Sequence, residues 1–132
     1  MADSISIFEY NGEGLERSYV NEAWMVGVKN YKPASDARNM DCLERHLLTD
    51  ELFIPVTEGN HIVTLNADGS LDIQPMEAGK IYCVNQGQWH NVLMTAGSKI
   101  ILVERPDTGM ENSETLPLNV GQREQLNGWN RT

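Results

Sequence analysis

A chain of 132 residues that is 40% hydrophobic and 22% charged has a globular composition, and at this length it buries about two-thirds of the surface its unfolded form exposes, so disorder and disulfide dependence are both excluded. Nineteen acidic against ten basic side chains leave a net charge of −9, which excludes nucleic acid and anionic membrane as partners, because both need clustered Lys and Arg. An anionic small-molecule ligand would be repelled by the field of the whole protein, so its pocket must carry a local cation, either a metal ion or an inward Arg or Lys.

Short β-type runs alternate with turn residues, the pattern of an all-β sandwich or barrel. Strands are predicted at 4–8, 19–30, 41–48, 52–57, 61–66, 70–74, 80–84, 89–95 and 99–104. Asn11-Gly12, Glu58-Gly59-Asn60, Asp68-Gly69, Ala78-Gly79 and Ala96-Gly97-Ser98 mark turns between them, and Asp68-Gly69 is the clearest hairpin. Residues 32–40 read as loosely structured around Pro33, and so does the tail from 107 to 132. Its few aliphatics, Leu116, Leu118, Val120 and Leu126, allow one short helix near 120–126, which Gly121 weakens. Trp129 is expected to pack against a neighbour, because an indole is costly to leave in water. The reading is one domain over 1–132, with a core at about 19–105, an N-terminal strand and a short, mostly irregular C-terminal tail.

The segment Met1-Ala2-Asp3-Ser4 lacks the basic and apolar regions of a secretory signal, and the longest aliphatic run, 100–103, is far too short to span a bilayer. A soluble, cytoplasmic protein without a membrane partner is therefore expected. Cys42 and Cys83 are reduced in that compartment; each is either a reactive thiol or, as we expect, a buried inert one. Met25, Met76 and Met94 read as core fillers.

Period-two geometry places Cys42, Glu44 and His46 on one face of their strand and Leu43, Arg45 and Leu47 on the other. Glu51 follows a turn at Thr49-Asp50, so the next strand returns its carboxylate to the same face. Further on, the stretch from Gly79 offers a strand, a tight turn at Gly87 and then His90. Two imidazoles and one or two carboxylates facing a barrel interior are donors for manganese, iron, nickel or zinc, with positions left open for substrate and water. The alternative is a hydrogen-bonded pair that simply holds two strands together. Glu44 is either a ligand or a general base beside a metal held by His46, Glu51 and His90. His61 fits no motif and is expected at the surface. Arg105, in phase with Lys99, Ile101 and Val103, either clamps a substrate carboxylate at the pocket rim or ends its strand in solvent.

The pattern Glu44-x-His46-x4-Glu51-x7-Gly59, followed by Gly79-x5-Asn85-x-Gly87-x2-His90, resembles the two motifs of the cupin superfamily, whose members are small jelly-roll β-barrels. Within it, Leu43-Glu44-Arg45-His46 followed by Phe53-Ile54-Pro55, then Trp89-His90, Glu104-Arg105 and Leu116-Pro117, are similar to the ureidoglycolate lyase-like cupins. The chain departs from the usual cupin in having Glu44 for histidine and Asn85 for proline. It departs from the lyase-like group in having Glu51 for an amide and His90-Asn91 for a histidine pair.

The resemblance implies cleavage of the carbon–nitrogen bond of a small ureido hydroxy acid, giving glyoxylate and urea. Glu44 or Glu51 would serve as base, His90 as acid, and Trp89 and Arg105 as substrate contacts. A divalent transition metal would lie on His46, Glu51, His90 and Glu44. Two rival readings are a metal-dependent isomerase, epimerase or oxygenase acting on a sugar or small acid, and a non-catalytic binding module. With Glu44 and His46 inward, Leu43 and Leu47 turn outward, as does an apolar part of Leu52, Ile54 and Val56. Either a second subunit or the 4–8 strand must cover that face, and a homodimer is expected.

Overall fold

In the segment Glu51–Pro55 every second side chain is buried, and in Lys99–Glu104 Ile100 and Leu102 sink while their neighbours stay half-exposed. This alternation builds ten strands in a computed structural model that describes residues 4–129. They are β1 (Gly14–Val20), β2 (Met25–Asn30), β3 (Cys42–His46), β4 (Glu51–Pro55), β5 (Asn60–Leu65), β6 (Leu71–Met76), β7 (Tyr82–Val84), β8 (His90–Met94), β9 (Lys99–Glu104) and β10 (Ser113–Pro117), and one helix, α1 (Val120–Asn127), follows. Two five-stranded antiparallel sheets result, ordered β1-β2-β9-β4-β7 and β10-β3-β8-β5-β6. Met25, Phe53, Ile100 and Leu102 of the first sheet meet Ile62, Met76, Val92 and Met94 of the second in the core between them. The all-β barrel expected from the sequence is the fold observed.

Local chemistry sets the turns. Gly69 takes a φ of +88°, its N–H donates to Asn66 O, and Asp68 Oδ1 accepts from Ser70 N–H, which reverses the chain between β5 and β6. The expected strand at 19–30 is split, because Asn21 Oδ1 accepts from the N–H groups of Ala23 and Trp24 and folds the backbone into a turn. Residues 4–8 form no strand. Ile5 and Ile7 are exposed there, and Phe8 rests on Tyr19 with ring centroids 5.8 Å apart. The two strands missed by the sequence reading, most of β1 and all of β10, are sheet edges whose polar residues do not alternate clearly.

A second apolar cluster lies on the outer face of the β10-β3-β8-β5-β6 sheet. Leu43, Val63, Leu71 and Leu93 pack there against Ala37 and Met40 and against Leu118 and Leu126 from the tail. The cover expected from a second subunit or an N-terminal strand is supplied over Leu43 by the chain's own C-terminus. Helix α1 forms despite Gly121 because Asn119 Oδ1 accepts from Gln122 N–H while Gln122 Oε1 accepts from Asn119 N–H, a reciprocal cap. The side-chain amide of Gln125 then accepts from Leu71 N–H through Oε1 and donates to Leu71 O through Nε2, docking α1 on β6. Trp129 packs as expected, edge-on to His61 at 4.7 Å. His61 is accordingly half-buried rather than a surface residue, and burial lowers its pKa.

Cys42 is half-buried and Cys83 exposed, so the second thiol departs from the buried reading. Both thiols are held above their ordinary value, with burial the first cause, and neither is activated. Among the described residues no helix is long and apolar enough to cross a membrane.

Candidate metal centre

Each donor arrives by alternation on its own strand. Leu43 is wholly buried on the outer face of β3, so Glu44 and His46 sit out of phase with it and face inward. Glu44 lies opposite His90, the first residue of β8, and the turn ahead of β8 is tied to β3 by Gly87 N–H donating to His46 O. Glu51 opens β4 in phase with Phe53, whose ring lies 6.1 Å from the His90 imidazole. One donor atom from each of Glu44, His46, Glu51 and His90 falls within 4.8 Å of all the others. His90 is 2% exposed, Glu51 5% and His46 9%, while the Glu44 side chain is 48% exposed toward solvent.

The hydrogen bonds behind the donors decide what the cluster can hold. Gln88 O can only accept, so His90 Nδ1 donates to it at 2.9 Å and the lone pair of a neutral ring lies on Nε2. That Nε2 faces Glu51 Oε1 at 2.9 Å, and His46 Nε2 faces the same oxygen at 3.2 Å. Ser113 Oγ, at 2.8 Å, fixes the other side of the His46 ring. The lone pair of a neutral His90 thus meets an oxygen of a buried carboxylate that also faces His46, whose tautomer follows from whether the Ser113 hydroxyl donates or accepts. A cation between them, either a proton or a metal ion, relieves that arrangement. Donors on one transition-metal ion stand about 3 Å apart, so these spacings fit a shared coordination sphere. The oriented outer nitrogens are what such imidazole ligands require.

The electrostatics agree. Burial alone pushes the Glu51 carboxyl up, but hydrogen bonds from His46 and His90 and the charge of those rings outweigh it and hold the group down to about 2. The Glu51 carboxylate in turn raises the His46 imidazole against the opposing pull of burial.

A cleft of about 390 Å³ opens beside the cluster, lined by Glu44, His46 and Glu51 and by two residues the sequence reading did not place there, Lys29 and Glu104. Glu104 ends β9 in phase with Ile100 and Leu102, and its side chain is 9% exposed. Its Oε2 has no hydrogen-bond partner among the described residues and lies 3.8 Å from His46 Nε2. Burial, then the Glu51 charge beside it, pushes this carboxyl up to about 7. An orphaned acceptor aimed at the cluster is a second sign that the site is built around a cation. Lys29 lies on β2 in phase with buried Met25, opposite Ile100. Burial lowers its pKa, while Glu51, Glu44 and Glu104 pull the other way. The period-two phase alone does not single out either residue; the pairing of β2 with β9 brings both to the cleft.

Three expected roles find no place at the cleft. Arg105 follows Glu104 and so turns away from it, donating to both Asp107 carboxylate oxygens and to Leu48 O. Trp89 precedes inward His90, so its ring lies on the outer side, 4.5 Å under the Arg45 guanidinium. His90 itself does not line the cleft, and its Nε2 is engaged by Glu51.

No protein-family model matches the chain. Ureidoglycolate lyases from two strains of Burkholderia mallei are 30% identical to it over 103 residues, a match covering 70% of this chain. The chain spans 59% of the length of those relatives. Among solved structures, PAC13 of Streptomyces superposes with a TM-score of 0.60 at 8% identity, over 88% of this chain and 93% of that one, and is described as a nucleoside dehydratase. A cupin-2 domain protein of Shewanella frigidimarina superposes with a TM-score of 0.50 at 18% identity, over 71% of this chain and 82% of the other.

Proposed function

We propose that this chain, a member of the cupin superfamily, is a metal-assisted carbon–nitrogen lyase that splits a small ureido hydroxy acid of the ureidoglycolate type into glyoxylate and urea. The observation that carries the reading is the convergence of Glu44, His46, Glu51 and His90 within 4.8 Å at the wall of a cleft. The 30% identity to ureidoglycolate lyases supports the choice of reaction.

His46, Glu51, His90 and Glu44 are the residues that would hold a divalent transition metal. Bound there, the ion supplies Lewis acidity that polarises the substrate oxygens. Glu51, held near 2 by its two histidines, is too weak a base for the hydroxyl proton, since a base works best with a pKa near the operating pH. Glu44, half-exposed to the cleft, is the better base when it is not itself coordinating. As it takes the hydroxyl proton, the oxygen electrons form the aldehyde carbonyl and the carbon–nitrogen pair leaves on nitrogen. Glu104, poised near 7 and lining the same cleft, returns a proton to that nitrogen to complete urea.

The test is urea release from ureidoglycolate by the purified chain with added manganese, alongside elemental analysis of protein prepared without chelators. Urea above background, with one transition metal per chain, supports the reading. No urea in the metal-loaded protein ends it. The same reading places the protein in the cytoplasm as a homodimer. Its contact would be the outer face of the β1-β2-β9-β4-β7 sheet, where Val26, Val103 and Leu52 stand in register beside Val28, Ile101 and Ile54. Sedimentation at micromolar concentration checks the dimer.

A further inference from the structure

Three carboxylates line the cleft, yet a substrate of the class proposed above is itself a carboxylate, and the chain carries a net charge of −9. Something in the protein must offset this at the point where the acid binds. Among the described residues lining the cleft, Lys29 is the only Lys or Arg. Strand β2 turns Met25, Gly27 and Lys29 to the interior. Leu15, paired with Lys29, leans across the missing side chain of Gly27, where a Cβ would stand 2.8 Å from its Cδ1.

Most basic side chains of the protein are already engaged. Arg45 and Lys80 are paired with Glu114 and Glu77, Arg38 and Arg105 with aspartates, and Lys99 donates to Tyr10 O. Among the described residues Lys29 has no hydrogen bond and no ion pair within 4 Å, although Glu51, Glu44 and Glu104 are near enough to act on its charge. A half-buried ammonium that meets no acceptor carries a desolvation cost that a bound anion would relieve.

We propose that Lys29 is the carboxylate anchor of the cleft. Its Nζ would donate to the acid group of the ligand and so select small carboxylic acids over neutral analogues, the part expected of Arg105. This assignment rests on reading the cleft as the substrate site, but its test needs no turnover.

Glycolate and its neutral isostere glycolamide are titrated calorimetrically into the manganese-loaded full chain, its Lys29→Met variant and its Lys29→Arg variant. A charge-assisted hydrogen bond sets the expected size, a preference of about tenfold or more for glycolate in the unsubstituted protein. In Lys29→Met that preference falls to within about twofold with glycolamide affinity unchanged, and Lys29→Arg restores part of it. Four results overturn the proposal: no preference in the unsubstituted chain, a preference that survives Lys29→Met, an equal loss for both probes, or loss of manganese from Lys29→Met. Should that variant not fold, acetylation of the unsubstituted protein mapped by mass spectrometry decides. Protection of Lys29 by glycolate and not by glycolamide supports the anchor, and equal protection overturns it. Because neither probe carries a ureido group, absence of urea release would sink the lyase reading while leaving this result standing.

Discussion

The two faces of strand β3 show how little sequence separates architecture from chemistry. Leu43 is 0% exposed beneath the C-terminal helix, while the next residue, Glu44, and then His46 look into the cleft. The outer face is dry, packed and held by carbon contacts with Leu93, Val63 and Leu126. The inner face at the same level is a knot of two imidazoles and a carboxylate that satisfies itself only around a cation. Side-chain period two makes the difference, and a slip of one residue would exchange the faces. The apolar side therefore fixes the register, and the polar side can be costly because its neighbour's packing holds it in place.

The sharpest way to break this comparison is to empty the polar face. His46→Gln with His90→Gln is expected to remove bound metal and lower urea release on the order of 10³-fold, the size of a lost acid–base or metal contribution. Circular dichroism should remain that of the folded chain; an unfolded double variant would show that the donors hold the fold as well. Attacking the other face, Leu43→Ala should cost about 2–5 kcal/mol, since a wholly buried leucine leaves a cavity. Denaturant titration measures that cost, and the metal-to-protein ratio of the folded fraction should not change.

A smaller effect separates the faces by pH. Glu104 titrates near 7 in the folded chain and near 4.5 in a free one, so between those values the folded state holds the extra proton and stability falls as pH rises. Glu51 acts oppositely: its pKa of about 2 gives stability that is present above 4.5 and lost on further acidification. Metal-free protein should thus lose on the order of 1–3 kcal/mol of unfolding free energy between pH 5 and 7.5 through Glu104. Glu104→Gln should flatten that part of the profile; an unchanged slope would place the proton elsewhere. The smallest change is expected at Arg105→Ala. Its guanidinium is paired with Asp107 and lies outside the cleft, so stability should move by less than about 0.5 kcal/mol and ligand affinity by less than about twofold.

The four donors were legible because each can be read locally: Glu44 and His46 share a strand phase, and Glu51 and His90 each follow a turn. The partners across the cleft were not. Lys29 and Glu104 come into the site only through the pairing of β2 with β9, in which Met25 stands opposite Glu104. That register joins segments far apart in sequence. The phase of Arg105 with Ile101 and Val103 was read correctly, but which face met the cleft stayed open, because Ile100 and Leu102 compete with Ile101 and Val103 as equally apolar sets. The outcome depends on which set meets Phe53 and Met25 in the core. In the tail the helix near 120–126 and the packing of Trp129 were anticipated, while strand β10 and the docking of the leucines were not. This segment is sparse in aliphatics, yet Leu118 and Leu126 both land on the sheet, and a helix with a reciprocal cap needs little intrinsic propensity.

The grip of Gln125 on Leu71 reaches beyond docking a helix. Strand β6 is the last in its sheet, and a bare border of amides and carbonyls invites the border of another molecule to zip onto it. By answering one amide and one carbonyl at Leu71, the glutamine takes two of the groups a foreign strand would need at that end of β6. The helix thereby shields that end of the border from strand pairing as well as covering the apolar layer beneath.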